Sequence, residues 1–392
     1  MLVIVAPGQG SQTPGFLTPW LEEPSFAARI DWLSAVAGLD LAHYGTEADA
    51  DTIRDTAIAQ PLLVASGLVA ALALFPHPAD GFATVGAAAG HSVGEITAAA
   101  AVRVITAEQA MVFVRERGRG MAEAAAKEST GMTAVLGGDP DDVLATLERH
   151  GLTPANVNGA GQVVAAGTVA QLEALAGDPP QGARLRALSV AGAFHTTHMA
   201  GAVKRLRHYA QSISTHDPRT VLLSNRDGQV VHDGRQVLDR LVDQVSSPVR
   251  WDLCMQTMAD LGVTGLLEVP PAGTLTGLAK RALPGVETFA LKTPDQLDDA
   301  RAFVEKHGVH TNPLPTNPTW RLIVAPIKGT FAVATSGDRL AAGDAVGTVS
   351  SLRDSVQVTA GHGGTIIEWL VEDGDPVAPG QPLVRLHPEA VA

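Results

Sequence analysis

The stretch AAGHSVGEITAAAA, residues 88–101, sets one serine, Ser92, between Gly90 and Gly94 where an apolar run gives way to an alanine-rich segment. A G-x-S-x-G on a strand-to-helix turn is the context of a nucleophile elbow, because glycines on either side relieve the crowding of a sharp bend. The same letters also suit a glycine-rich helix start capped by a serine, and the motif alone leaves the two readings even.

Outward from it, LVIVA (residues 2–6), TVGAAAG (84–90) and TGLLEVPP (264–271) are apolar runs of strand length separated by helical patterns. That alternation predicts an α/β fold with a largely parallel sheet. Over about 128–191, TGMTAVLGG, PDDVLATLERHG, PANVNGAGQVVAAGT, VAQLEALAG and ARLRALSVAG read as strand, helix, paired strands, helix and strand, the order of an inserted ferredoxin-like subdomain. Pro313, Pro315 and Pro318 crowd a stretch without periodicity and predict a linker over 308–319. Residues 320–392 then read as a small all-β domain. LAAGDAVGTV from Leu340 nearly recurs as VEDGDPVAPGQPLVRL from Val371, each with Gly-Asp-x-Val at a turn, which predicts internal pseudo-twofold symmetry.

Composition narrows the function classes. With 392 residues, 45% of them hydrophobic, the chain can bury more than one core. A formal charge of −13 leaves no general basic footprint for nucleic acid or an anionic membrane. Cys254 is the single cysteine, so no internal disulfide or cysteine-based zinc site is expected, and a reducing compartment fits. The N-terminal MLVIVAPGQGSQ lacks the basic and long apolar regions of a signal peptide, and no stretch reads as a membrane span. The expectation is a soluble cytoplasmic protein without metal, nucleic-acid or membrane partners.

A serine hydroxyl attacks only when a base takes its proton and donors await the oxyanion. Three stretches offer those parts, each with a plainer reading beside it. PGQGSQ (residues 7–12) is a glycine-rich turn without the Lys-Ser/Thr ending of a phosphate loop. Arg115, Arg117 and Arg119 crowd a helical segment, as a solvated basic face would. His195 follows Phe194 in AGAFHTTHM, and a lone histidine is more often packed than catalytic.

Taken in order, PGQGSQ, GHSVGE, RGRGM, ANVNGAGQ, GAFH, LLSNRDG and SSPVRW resemble the malonyl-CoA:acyl-carrier-protein transacylase family over residues 1–307. The resemblance implies a hydrolase-like core, malonyl-CoA as substrate, an acyl carrier protein as partner, a monomer, and a place in fatty-acid or polyketide synthesis. It makes Ser92 the nucleophile and His195 the general base and later acid. The backbone N–H groups of Gln9 and Val93 would hold the oxyanion, and the backbone carbonyl matching Arg250 would orient the histidine. Arg117 would bind the malonyl carboxylate through a two-pronged contact, and Phe194 would leave little room for an α-methyl branch. Asn158 and Gln162 join the substrate-binding group, with His91 and Asn225 in support. One departure is Pro270-Pro271, where the family usually has Gly-Pro-Gly.

Residues from about Trp320 to Leu386 resemble biotinyl and lipoyl carrier domains. The alignment sets Arg353 of SSLRDS at the position of the carrier lysine. A guanidinium stays protonated and cannot form the cofactor amide, so no biotin is expected. Lys328, the one lysine of this domain, lies in its first strand region. Two other classes stay in view: a serine hydrolase, which would carry its histidine late in the chain rather than at 195, and a scaffold or biotin carrier acting through the C-terminal domain.

Overall fold

The computed structural model describes residues 1–308, 321–334 and 337–388, and the chain divides into two units, Met1–Thr311 and Asn312–Ala392. Apart from Gly308, the expected linker lies outside the described residues.

In chain order the strands of the first unit are β1 (Leu2–Ala6), β2 (Ala87–Gly90), β3 (Thr130–Gly137), β4 (Thr153–Gly159), β5 (Gln162–Thr168), β6 (Ala183–Ala187), β7 (Val221–Leu222), β8 (Val249–Arg250), β9 (Gly265–Glu268) and β10 (Glu287–Ala290). One sheet runs β10-β9-β1-β2-β7 with every pairing parallel. Its central strands read as unbroken apolar runs because both faces are covered. Val3, Val5 and Ala89 pack with Trp251 and Leu266 on one side, while Leu2, Ala6 and Ala88 pack with Leu62 and Ile96 on the other.

The second side is dominated by the helix Thr56–Leu74. Contrary to the expectation that no stretch could span a membrane, this helix is long and apolar enough to do so by length and composition. Fourteen of its nineteen residues are buried inside the fold, so its apolar surface is spent on the core rather than offered to lipid.

The insert follows the expected order. A second sheet runs β6-β3-β5-β4, antiparallel throughout, with helices Pro140–Arg149 and Val169–Gly177 between its strands, the ferredoxin-like arrangement. β8, from the body of the unit, adds to its edge by pairing Asn156 with Val249 and Val157 with Arg250 in parallel. The insert is thereby stitched to the body of the unit.

The second unit is all-β, with strands β11 (Arg321–Val324), β12 (Gly329–Val333), β13 (Arg339–Leu340), β14 (Ala345–Ser350), β15 (Ser355–Thr359), β16 (Gly364–Trp369), β17 (Pro376–Val377) and β18 (Pro382–Pro388). They form two four-stranded sheets, β11-β18-β16-β13 and β15-β14-β12-β17. Exchanging each strand with the one four places along converts one order into the other, so the repeat seen in the sequence is a repeat in the topology. Its chemistry also repeats. Gly343 and Gly374 take φ of 93° and 90°, where a side chain is strained. Asp344 and Asp375, next in sequence, accept from the backbone N–H groups of Ala341 and Glu372 at 2.7 and 2.8 Å.

Candidate active site

β2 ends at Gly90 and the helix Gly94–Ala101 begins two residues after Ser92, so the chain reverses within three residues. A Cβ on Gly90 would lie 2.0 Å from the Gly94 backbone, and one on Gly94 would lie 2.2 Å from the Ala6 carbonyl oxygen. Only glycine fits at either position. Ser92 itself takes φ 52°, a left-handed conformation costing about 1–3 kcal/mol that the surrounding contacts sustain. Its hydroxyl does not cap the helix; Oγ lies 2.7 Å from His195 Nε2. The arrangement is an elbow.

His195 is also left-handed, φ 61°, and buried, and its backbone N–H donates to the Val245 carbonyl. Its Nδ1 lies 2.8 Å from the backbone carbonyl oxygen of Gln244. The orienting carbonyl therefore belongs to Gln244 and not, as the motif alignment implied, to Arg250. After the helix Gly234–Asp243 the chain tightens into a 3₁₀ turn, Gln244–Ser246, in which the Gln244 carbonyl accepts from the Ser247 N–H at 3.2 Å and keeps a second lone pair for His195. Arg250 is engaged elsewhere: its N–H donates to the Asn225 carbonyl at 2.7 Å and its guanidinium pairs with Asp252. Burial, and next the Arg117 charge, push the His195 imidazole down to about 3. The ring is neutral at pH 7 and donates from Nδ1 to a carbonyl, so Nε2 keeps a lone pair facing the serine hydroxyl.

Arg117 projects from the middle of the helix Ala107–Ala125 and is 1% exposed. Its Nη1 donates to Gln60 Oε1 at 2.7 Å, and its Nη2 donates to Gln244 Oε1 at 2.9 Å and to Ser92 Oγ at 3.3 Å. Its Nε has no hydrogen-bond partner. Burial lowers it to about 10, so the guanidinium stays charged at neutral pH. The flanking Arg115 and Arg119 differ: both turn to the buried Glu116 carboxylate, together with Arg205. Arg207 pairs with Asp243.

Gln9 lies on the PGQGSQ turn, with its side chain donating to the Arg54 carbonyl at 3.1 Å and Thr56 Oγ1 at 3.2 Å. A Cβ on neighbouring Gly8 would stand 2.9 Å from the His91 carbonyl oxygen, so this turn is pressed against the elbow. Among the described residues neither the Gln9 nor the Val93 backbone N–H has a protein partner. Phe194 is buried in the core beside His195. Asn158 does not reach the serine; its Oδ1 lies 2.8 Å from His91 Nε2, and so ties the insert to the elbow. Gln162, expected among the substrate-binding residues, starts β5 at a hairpin and lines a separate hollow with Arg184 and Arg281. The hairpin register pairs Gln162 with Gly159 and Leu136.

Four polar residues carry more of the site than their sequence suggests. Asn225 Oδ1 accepts from the Ser92 N–H at 2.8 Å while its Nδ2 donates to the Gly90 carbonyl at 2.8 Å, bracing both sides of the elbow. The Gln244 side chain donates to Glu95 Oε2 and to the Ser92 carbonyl. Glu95 also accepts from the Asn225 N–H, and burial raises its carboxyl to about 7. Gln60 is a single amide in the apolar run AIAQPLLV, a signal readable in the sequence; Gln244, in LVDQVSS, carries none.

A buried, neutral histidine hydrogen-bonded to a strained elbow serine in an α/β body with a ferredoxin-like insert defines the acyl transferase class, and residues 3–304 match the family model described as "Acyl transferase domain". Residues 323–386 match a second model, "Biotin-requiring enzyme". The malonyl CoA-acyl carrier protein transacylase of Mycobacterium tuberculosis H37Rv is 52% identical over 299 residues, 76% of this chain and 99% of that protein. That of Escherichia coli K12 is 33% identical, covering 75% and 96%. The chain belongs to the malonyl CoA-acyl carrier protein transacylase family and is an acyltransferase. Among solved structures, the M. tuberculosis enzyme superposes with a TM-score of 0.74 at 51% identity, over 77% of this chain and 99% of that one. A malonyl-transacylase solved in complex with its type II PKS acyl-carrier protein superposes at 0.72 with 29% identity, over 77% and 99%.

Proposed function

We propose that this protein moves a malonyl group from malonyl-CoA to the phosphopantetheine thiol of an acyl carrier protein through a malonyl-Ser92 ester, supplying fatty-acid or polyketide synthesis. In the first half-reaction Ser92 Oγ attacks the thioester carbonyl while His195 Nε2 takes its proton. The C–S bond then breaks, and the imidazolium returns the proton to the departing CoA thiolate. The second half-reaction runs the same steps with the carrier thiol as nucleophile. The Gln9 and Val93 N–H groups stabilise the oxyanion, a role worth about 3–4 kcal/mol per donor in comparable sites.

The observation that carries the cargo assignment is the buried Arg117 Nη2 at 3.3 Å from Ser92 Oγ. In a malonyl ester one methylene separates the ester carbonyl from the free carboxylate, so a guanidinium this close to the oxygen that bears the acyl group meets that carboxylate. Acetyl would leave it unmet. Phe194, packed beside the base, disfavours an α-methyl branch. The chain acts as a cytoplasmic monomer with no nucleic-acid or membrane partner on this reading.

The Ser351–Asp354 turn joining β14 to β15 carries Arg353, which cannot form the amide that holds biotin or lipoate, so we read the second unit as unmodified. Lys328 lies exposed in the bend before β12, next to Gly329, whose Cβ would approach the Ser350 carbonyl.

Two measurements test these readings. Labelled malonyl-CoA given with a carrier protein is expected to yield labelled carrier; predominant release of free malonate with carrier present would favour the hydrolase. Intact mass after co-expression with a biotin ligase is expected to show no added biotin, and an adduct on Lys328 would restore the carrier reading.

A further inference from the structure

On the Leu2 and Ala6 side of the main sheet, away from the Ser92–His195 pair, lies a cavity of about 390 Å³, a size within the usual range of small-molecule sites. It exists because the helices around it are built from short side chains. Ala71 and Gly67 of the Thr56–Leu74 helix line it together with Ala98 and Ala101 of the helix that follows Ser92, and Phe75 and Phe82 complete the apolar lining. The lining is mainly apolar, with five polar exceptions: Thr97, Thr106, Thr220, Arg103 and His216. Thr97 and Thr220 are 3% and 8% exposed.

Arg103 is the decisive residue. It is exposed, it makes no ion pair among the described residues, and it takes φ 69° directly after the nucleophile helix, a conformation strained for arginine. His216, also exposed, sits at the same rim; its backbone N–H bonds the Val104 carbonyl. A cationic rim above an apolar chamber, in a chain of net charge −13, matches an amphiphile with one anionic head.

We propose that this cavity is a binding site for a medium-chain fatty carboxylate, with the chain among the alanines and the carboxylate on Arg103. At about 30 Å³ for a group the size of water or methylene, the volume accommodates about a dozen chain atoms. Each buried methylene contributes about 0.8 kcal/mol, so affinity rises about fourfold per added carbon until the chamber is full.

The test is titration of the full-length protein with octanoate, decanoate and dodecanoate by calorimetry, with dodecanol as a headless probe. Saturable binding that strengthens with chain length is expected. Arg103→Gly keeps the left-handed backbone without strain and is expected to weaken dodecanoate at least tenfold while leaving dodecanol binding and malonyl transfer unchanged. Ala98→Leu fills the chamber and is expected to weaken both probes; should it fail to fold, Ala71→Leu from the opposing helix replaces it. Absence of saturable binding overturns the proposal, as does dodecanoate binding indifferent to Arg103→Gly or to both filling variants.

Discussion

Replacing Arg117 by methionine keeps most of the side-chain volume and deletes the charge, which isolates what the guanidinium does. In the proposed malonyl complex the β-carboxylate is buried, and its counter-charge is this one group. Removing one partner of a buried charge pair costs about 3–5 kcal/mol, mostly because the remaining charge is left without compensation. Converted at 1.36 kcal/mol per tenfold, kcat/KM for malonyl-CoA should fall about 150- to 5,000-fold. Acetyl-CoA places no charge there, and Gln60 and Gln244 already occupy two guanidinium donors in the resting site. Its acylation rate should therefore change by no more than about threefold, which also reports that Ser92 and His195 are still in place. Arg117→Lys should fall between, because a point charge cannot form the fork. The assay is burst-phase acylation of Ser92 by each thioester, followed by mass spectrometry. If the methionine variant kept the preference for malonyl over acetyl, the carboxylate assignment would be wrong.

Ser92→Ala should give no acyl adduct with malonyl-CoA, while a thermal melt close to that of the parent shows the fold intact. Gly90→Ala should destabilise by more than about 4 kcal/mol or abolish soluble expression, because its Cβ has only 2.0 Å to the Gly94 backbone; an unshifted melting curve would refute the packing. Asn158→Ala should cost about 1 kcal/mol in chemical denaturation, since the half-buried His91 loses its amide partner; no change would detach the insert from the elbow. Glu95, raised to about 7 from an ordinary 4.5, binds a proton in the folded state that the unfolded chain lacks between those pH values. Stability from this group is full below pH 4.5 and declines by about 3 kcal/mol as pH rises past 7. Glu95→Gln removes that decline, so relative to the parent the variant should gain stability between pH 5 and pH 8, and a constant difference across that range would refute the assignment.

Much of this was legible because it is written in local sequence. The elbow needs glycine at 90 because the reversal brings the Gly94 backbone against it, and the repeated Gly-Asp turns of the second unit announce a positive φ and an Asx-type bond; Gly94 is required instead by the distant Ala6 carbonyl. The hidden part is what arrives from afar through side chains with no distinctive neighbours. Gln244 reaches Ser92 across 152 positions and Asn225 across 133. The carbonyl that orients His195 illustrates the difference: any residue supplies a carbonyl, so sequence letters cannot choose between 244 and 250, and only the turn of the backbone does. The Thr56–Leu74 helix makes the same point from the other side, since a run of apolar letters fits a core as well as a bilayer.

One residue, Gln244, holds the His195 ring with its backbone carbonyl and Arg117 with its side chain. The two services can therefore be altered separately by mutation. On the proposed function, changing the letter at 244 revises how Arg117 and the Ser92 carbonyl are held while leaving the carbonyl at His195 in being, so the range of acyl groups accepted can drift over evolutionary time, or under directed evolution, without first removing the group that orients the proposed base.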